Sequence, residues 1–238
     1  MPGMRNPIIV ALDVPNASQA LTLAREVAGS VGAFKVGSEL FTSAGPDFVR
    51  QLRQTGASIF LDLKFHDIPN TVAKAVASAV NLNVQMLTIH TCGGLEMMRA
   101  AKESALKTAG ALGQEPPLIL GVTVLTSMNG AALEQVGAGT DVGTQVERLA
   151  ALAVEAGLGG LVCSPLEIQR LRRFLPATTR LVTPGIRLGG EQADDQKRTL
   201  SAREAMDAGA DWLVIGRPIY AAPDPAGAAR RILESLAS

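Results

Sequence analysis

Short apolar runs recur along this chain at a mean interval of about 25–30 residues, and a stretch of helical periodicity follows each one. Residues 7–13, 33–37, 59–65, 84–90, 117–125, 160–164, 180–185 and 211–216 read as strands. Helical patterns fill 18–30, 47–54, 71–82, the stretch from Gly93-Gly94 to Thr108, 142–156, 201–208 and 224–236. A short helix is expected at 130–135, and Pro165 opens another. Strands that alternate with helices imply a parallel sheet covered on its faces. Eight such units that close on themselves make a (β/α)8 TIM barrel, with an outer ring of helices. The other solution is an open, doubly wound sheet. Polar residues mark the carboxyl end of nearly every strand, and only a barrel brings those ends to one mouth. A single domain over residues 1–238 is therefore expected, since 238 residues suit one barrel.

Composition narrows the partners. Lysine and arginine total 22, aspartate and glutamate 22, and no basic stripe stands out. A duplex nucleic acid partner, whose binding is dominated by phosphate charge, is not expected. No apolar run approaches the roughly 20 residues of a membrane span. The first residues lack the apolar core of a signal peptide, so the cytoplasm is the expected compartment. Cys92 and Cys163 lie in separate segments without metal-ligand spacing and read as small buried residues.

The third strand carries the chemistry. Ile59, Leu61, Leu63 and Phe65 alternate with Phe60, Asp62 and Lys64, so an acid and an amine share the more enclosed face. Asp67 follows at the strand's end, and Pro69 opens an alanine-rich helix. On a barrel, Asp13, Lys35, Asp62 and Lys64 come from the first three strands and meet at the mouth. Alternating acids and amines hold one another charged. They read either as a structural ion-pair network or as a reactive site. Asp67 has a second reading as a helix N-cap.

The opposite rim suits a phosphate. Gly216-Arg217-Pro218 follows the eighth strand, where barrels commonly seat phosphate on backbone N–H groups near a helix terminus. Arg187 opens a long polar loop, 186–197, of a length that is usually functional. Thr126 and Ser127 stand at the end of the fifth strand, as donors to a planar ligand or as turn caps. His66 and His90 are the only histidines. His90 reads as a satisfied polar core residue, and His66 has the wrong parity for a base. No cluster suggests zinc, and the interleaved lysines oppose magnesium.

Asp62-x-Lys64-x-x-Asp67-Ile68-Pro69-Asn70-Thr71 closely resembles the signature of the orotidine 5′-monophosphate decarboxylase family. Ala11-Leu12-Asp13, Phe34-Lys35-Val36-Gly37, Leu125-Thr126-Ser127, Thr183-Pro184-Gly185-Ile186-Arg187, Asp195-Gln196-Lys197-Arg198 and Ile215-Gly216-Arg217-Pro218-Ile219 extend the resemblance over nearly the whole chain. It implies decarboxylation of orotidine 5′-monophosphate to uridine 5′-monophosphate, the last step of de novo pyrimidine synthesis, without metal or organic cofactor. Asp13 and Lys35 would contact the ribose, Asp62 would sit beside the leaving carboxylate, and Lys64 would protonate carbon 6. Thr126, or its neighbour Ser127, would bind the pyrimidine. Arg187, Gln196, Gly216 and Arg217 would hold the phosphate. Asp67 and Thr71 would reach the partner's site in a homodimer. The D-x-K-x-x-D core alone is shared with sugar-phosphate enzymes of the same barrel suite. The rival is thus a magnesium-dependent sugar-phosphate decarboxylase or aldolase. It needs an acid near the second strand end, where Lys35 stands and Glu39 is close.

Overall fold

A computed structural model describes residues 6–187 and 199–237. Eight parallel strands close into a barrel: β1 (Ile8–Ala11), β2 (Ala33–Gly37), β3 (Ser58–Phe65), β4 (Met86–His90), β5 (Leu118–Val122), β6 (Gly160–Val162), β7 (Arg180–Thr183) and β10 (Trp212–Ile215). The ring runs β1-β10-β7-β6-β5-β4-β3-β2, so β7 lies directly across from β3. The expected barrel is the one observed, and the open sheet is not.

Two apolar layers follow from the alternation of strand side chains. One face of the strands fills the barrel: Ile9, Ala33, Phe60, Met86, Leu120 and Trp212 pack together inside. The other face meets the helices, where Ile59 and Leu61 are buried and Leu63 and Phe65 partly buried. The inside is thus a packed core topped by whatever the strands carry one or two residues further on. At that level stand Lys35, Asp62 and Thr88, each two residues beyond an inward apolar neighbour.

Helix starts are set locally. Asn16 Oδ1 accepts the Gln19 N–H at 3.0 Å and caps α1 (Ala17–Val27). Pro69 begins α3 (Pro69–Val80), where its missing N–H costs nothing. Ser201 and Glu204 form a reciprocal capping box at α8 (Ala202–Asp207).

Three expectations are corrected. The helix expected over 47–54 is the second half of α2 (Ser38–Arg53), which bends at Gly45 with φ 69°. Gly45-Pro46 reads as a break because it does interrupt the helical bonding, yet a helical segment precedes it too. The fifth strand stops at Val122, and Thr123 to Leu125 run on outside the sheet. Strand seven stops at Thr183, because Pro184 has no N–H for the ladder and Gly185 turns the chain at φ 82°. Beyond it β8 (Ile186–Arg187) and β9 (Leu200–Ser201) pair in parallel as a small separate sheet. Most of the 186–197 loop, including Gln196, lies outside the described residues.

Candidate active site

Four charges form one chain of contacts at the carboxyl ends of β1 to β3. Lys35 Nζ lies 3.1 Å from Asp13 Oδ1 and 3.8 Å from Asp62 Oδ2. Lys64 Nζ donates to the same Asp62 Oδ2 at 2.9 Å. The order is Asp13–Lys35–Asp62–Lys64, with acid and amine alternating throughout. The Lys35 and Asp62 side chains are only 12% and 11% exposed. At that depth an unpaired charge would be costly, and each stands within ion-pair distance of an opposite charge. Gly37 makes room for the lysine: a Cβ there would stand 3.0 Å from Lys35 Nζ.

Lys64 reaches Asp62 through a distortion of the strand. Leu61 pairs with Leu87 and Phe65 with Ile89, so Asp62, Leu63 and Lys64 face only Thr88 on β4. The two extra residues preserve the inside–outside parity expected for β3 and crowd both charges around one point. Lys64 itself adopts φ 51°, one of two non-glycine residues at positive φ among those described. That conformation costs about 1–2 kcal/mol in a residue with a Cβ. Strain of this kind persists only where the surroundings over-determine it.

These groups line a cavity of about 700 Å³ at the barrel mouth. Its floor is apolar, made by Ala11, Phe60, Val162 and Val214. Asp13, Lys35, Asp62 and Lys64 line it from β1 to β3, and Arg187, Gly216 and Arg217 from the segments after β7 and β10, the latter next to β1 in the ring. Arg217 begins the short helix α9 (Arg217–Tyr220), with Gly216 before it. Thr126 also lines the cavity, whereas its neighbour Ser127 does not.

Asp67 and Thr71 do not line this cavity. Both are exposed on the outer rim, and Ile68 between them is 66% exposed. Asp67 is not a helix N-cap either. Ile68 takes that position, and Asp67 Oδ1 accepts the Ile68 N–H at 2.6 Å. Cys163 is buried as expected, but Cys92 is exposed, with Sγ 4.0 Å from His66 Nε2. His90 is half-buried, its ring centroid 5.4 Å from that of His66. Burial, then His66 and Lys64, push the His90 pKa below its ordinary value, with Asp62 opposing.

Two titratable lining residues, Tyr220 and Glu39, have no place among the expected nucleotide ligands. Tyr220 stands one helical turn after Arg217, a spacing that sequence could have offered. Burial pushes its phenol up, Arg217 opposes, and Asp13 and Glu39 add to the rise. Glu39 lines the cavity from the first turn of α2, in the half-helix that the sequence reading left unassigned. Thr88 does not line the cavity; it is buried against Asp62 and Lys64 and carries no sequence signal beyond a threonine among apolar strand residues.

Residues 6–232 match the model of the orotidine 5′-phosphate decarboxylase / HUMPS family. The chain belongs to that family. It is 52% identical over 231 residues to the orotidine 5′-phosphate decarboxylase of Opitutus terrae, covering 97% of this chain and 98% of that one. With the enzyme of the same name from Pseudomonas syringae pv. syringae it shares 50% identity over 237 residues, covering both chains fully. The crystal structure of the orotidine 5′-phosphate decarboxylase of Lactobacillus acidophilus superposes with a TM-score of 0.87 at 35% identity, over 98% of this chain and 100% of that one. The decarboxylase here carries its charged residues at the mouth of a barrel. No helix among the described residues is long and apolar enough to cross a membrane.

Proposed function

We propose that this decarboxylase converts orotidine 5′-monophosphate to uridine 5′-monophosphate without a metal, using Lys64 as electrostatic stabiliser and proton donor. Loss of carbon dioxide breaks the bond to carbon 6 and leaves its electron pair on a ring carbon. An ammonium held at that carbon stabilises the charge where it develops. Lys64 then gives its proton to carbon 6 and takes another from solvent. The observation that carries this reading is the shared oxygen, Asp62 Oδ2, which holds Lys64 at 2.9 Å and faces Lys35 at 3.8 Å. An apolar floor beneath the charges lowers the local dielectric and strengthens their effect.

The rim after β7 and β10 then takes the rest of the nucleotide. Arg187, Gly216 and Arg217, with Gln196 beyond the described residues, bind the phosphate. Asp13 and Lys35 bind the ribose. Thr126 is favoured over Ser127 for the pyrimidine, because it lines the cavity. Phosphate binding is remote from carbon 6, so its energy can be used to close and dry the site. Asp67 and Thr71 act on a second copy of the chain, in a cytoplasmic homodimer. Their exposure beside an exposed Ile68 supports that reading.

Glu39 favours a second reading, since it shares the cavity with Asp13 and Asp62. Three acids at one mouth would suit a magnesium-dependent sugar-phosphate enzyme. However, among the described residues no group of three or more His, Cys, Asp or Glu could hold a metal ion. The test is ultraviolet absorbance of orotidine 5′-monophosphate with enzyme treated exhaustively with chelator. Undiminished loss of substrate supports the metal-free reading. Loss of turnover that magnesium restores selects the second.

A further inference from the structure

We infer that Thr88 is a positioning residue for the decarboxylation, because its one hydroxyl fixes both Asp62 and the backbone of Lys64. The inference rests on the reading of Asp62 and Lys64 as the reacting pair. Thr88 is the only β4 residue facing the three-residue bulge of β3, and it is fully buried. The Lys64 backbone N–H donates to Thr88 Oγ1 at 2.9 Å. Thr88 Oγ1 in turn donates to Asp62 Oδ1 at 3.0 Å.

The direction of these bonds is fixed by chemistry. An amide N–H can only donate, so the hydroxyl oxygen is its acceptor. The single hydroxyl hydrogen is then committed to Asp62, whose ionised carboxylate can only accept. Threonine is stiff at χ1 in a strand, so the hydroxyl has little freedom to point elsewhere.

A closed ring results. Lys64 N–H reaches Thr88, Thr88 reaches Asp62 Oδ1, and Asp62 Oδ2 returns to Lys64 Nζ. One oxygen of Asp62 is thereby turned down to Thr88, and the other up to the two lysines. The same contact supplies a partner for the amide of a residue at positive φ, where the ladder to β4 is interrupted. Thr88 therefore acts through Asp62 and Lys64 and need not touch the substrate.

The test compares Thr88→Val, which keeps the shape and removes the hydroxyl, with Thr88→Ser, which keeps the hydroxyl. Each is assayed on orotidine 5′-monophosphate for kcat and KM, beside wild type and Lys64→Ala, with folding checked by thermal melting. Misplacement of reacting groups by about 1 Å can cost 10²-fold. The valine variant should lose about 10–100-fold in kcat with KM within about threefold, since a transition-state interaction is lost rather than substrate binding. The serine variant should retain at least about a third of wild-type kcat, because it rebuilds the same two bonds. If valine does not fold, Thr88→Cys, whose thiol is only a weak donor, should lose clearly more kcat than the serine variant, and a cysteine variant equal to serine would overturn the inference. A folded valine variant with near-normal kcat would overturn the inference. So would equal losses in valine and serine, or a loss confined to KM. Substantial turnover in Lys64→Ala would remove the reading beneath it, and the role of Thr88 would fall with that reading.

Discussion

Networks of alternating charge stand at both ends of the barrel, and they are built from different cations. At the amino end, Asp211 accepts from Arg172 Nη2 at 2.5 Å, Arg180 Nη1 at 2.7 Å and the Leu181 N–H at 2.8 Å. Arg172 also donates to the carbonyls of Gly209, at 2.9 Å, and Thr179, at 2.7 Å. Each nitrogen of the Arg172 guanidinium has a fixed acceptor, and together they tie α7 (Ile168–Arg172) to the starts of β7 and β10. At the carboxyl end the cations are lysines. Among the described residues, Lys64 Nζ has one bonded partner, Asp62, for an ammonium with three donors. It is 34% exposed and lines the cavity. Arginine cannot give up its proton in a protein, whereas lysine can. The lower network is a clasp; the upper one keeps hydrogen-bonding capacity and a transferable proton for a substrate.

That contrast breaks if the two ends respond alike to mutation. The largest effect is expected at Lys64. Removing one preorganised donor commonly costs about 10²–10³-fold in rate, and Lys64→Ala removes the proton donor as well. Turnover should nearly vanish while the melting temperature stays close to wild type. A folded variant with near-normal turnover would take Lys64 out of the mechanism.

Arg217→Ala should come next. A charged hydrogen bond contributes about 1.5–3 kcal/mol, or about 10–150-fold in kcat/KM. Wild type should be much poorer on orotidine, which lacks the phosphate, and the variant should lose little more on it. Equal harm on both substrates would show that Arg217 shapes the mouth in general.

Asp211→Ala tests the clasp. Three donors lose their acceptor, and half-exposed Arg180 contributes little, so about 2 kcal/mol is expected. In a chain of this size that lowers Tm by about 4–8 °C. Turnover at 25 °C should be unchanged. A fall in kcat would erase the distinction between the ends.

The smallest effect concerns His90, whose pKa in the fold lies below its ordinary 6.5. The unfolded chain therefore takes up this proton first as pH falls. The stability concerned is complete above about pH 6.5 and is lost below it, down to the folded pKa. The groups bearing on this ring are His66, Lys64 and Asp62. His90→Asn should lose less Tm than wild type between pH 7.5 and 5.5. An identical loss would mean that His90 carries none of the slope.

The barrel was legible because apolar strand runs and helical repeats alternate through the whole chain. The Asp13–Lys35–Asp62–Lys64 chain was legible because parity on short strands fixes which side chains turn inward. The bulge was not. A lysine at positive φ is held there by contacts with β4, and no local residue type announces it. Thr88 was hidden for the same reason: its partners are 24 and 26 residues away in sequence. The 38–44 half of α2 was hidden by Gly45-Pro46, which interrupts helical bonding without ending the helical course. Asp67 and Thr71 carried a recognisable motif, but they do not line the mouth cavity of their own chain.

The most direct test of an ammonium at this position is to remove and rebuild it. Lys64→Cys, alkylated with 2-bromoethylamine, restores an amine on a side chain of nearly the same length. Wild type given the same treatment controls for Cys92, which is exposed. Lys64→Cys should be almost inactive on orotidine 5′-monophosphate and should regain substantial turnover after alkylation. A folded, fully alkylated protein that stays inactive, or a variant already active before treatment, would contradict the role of that ammonium.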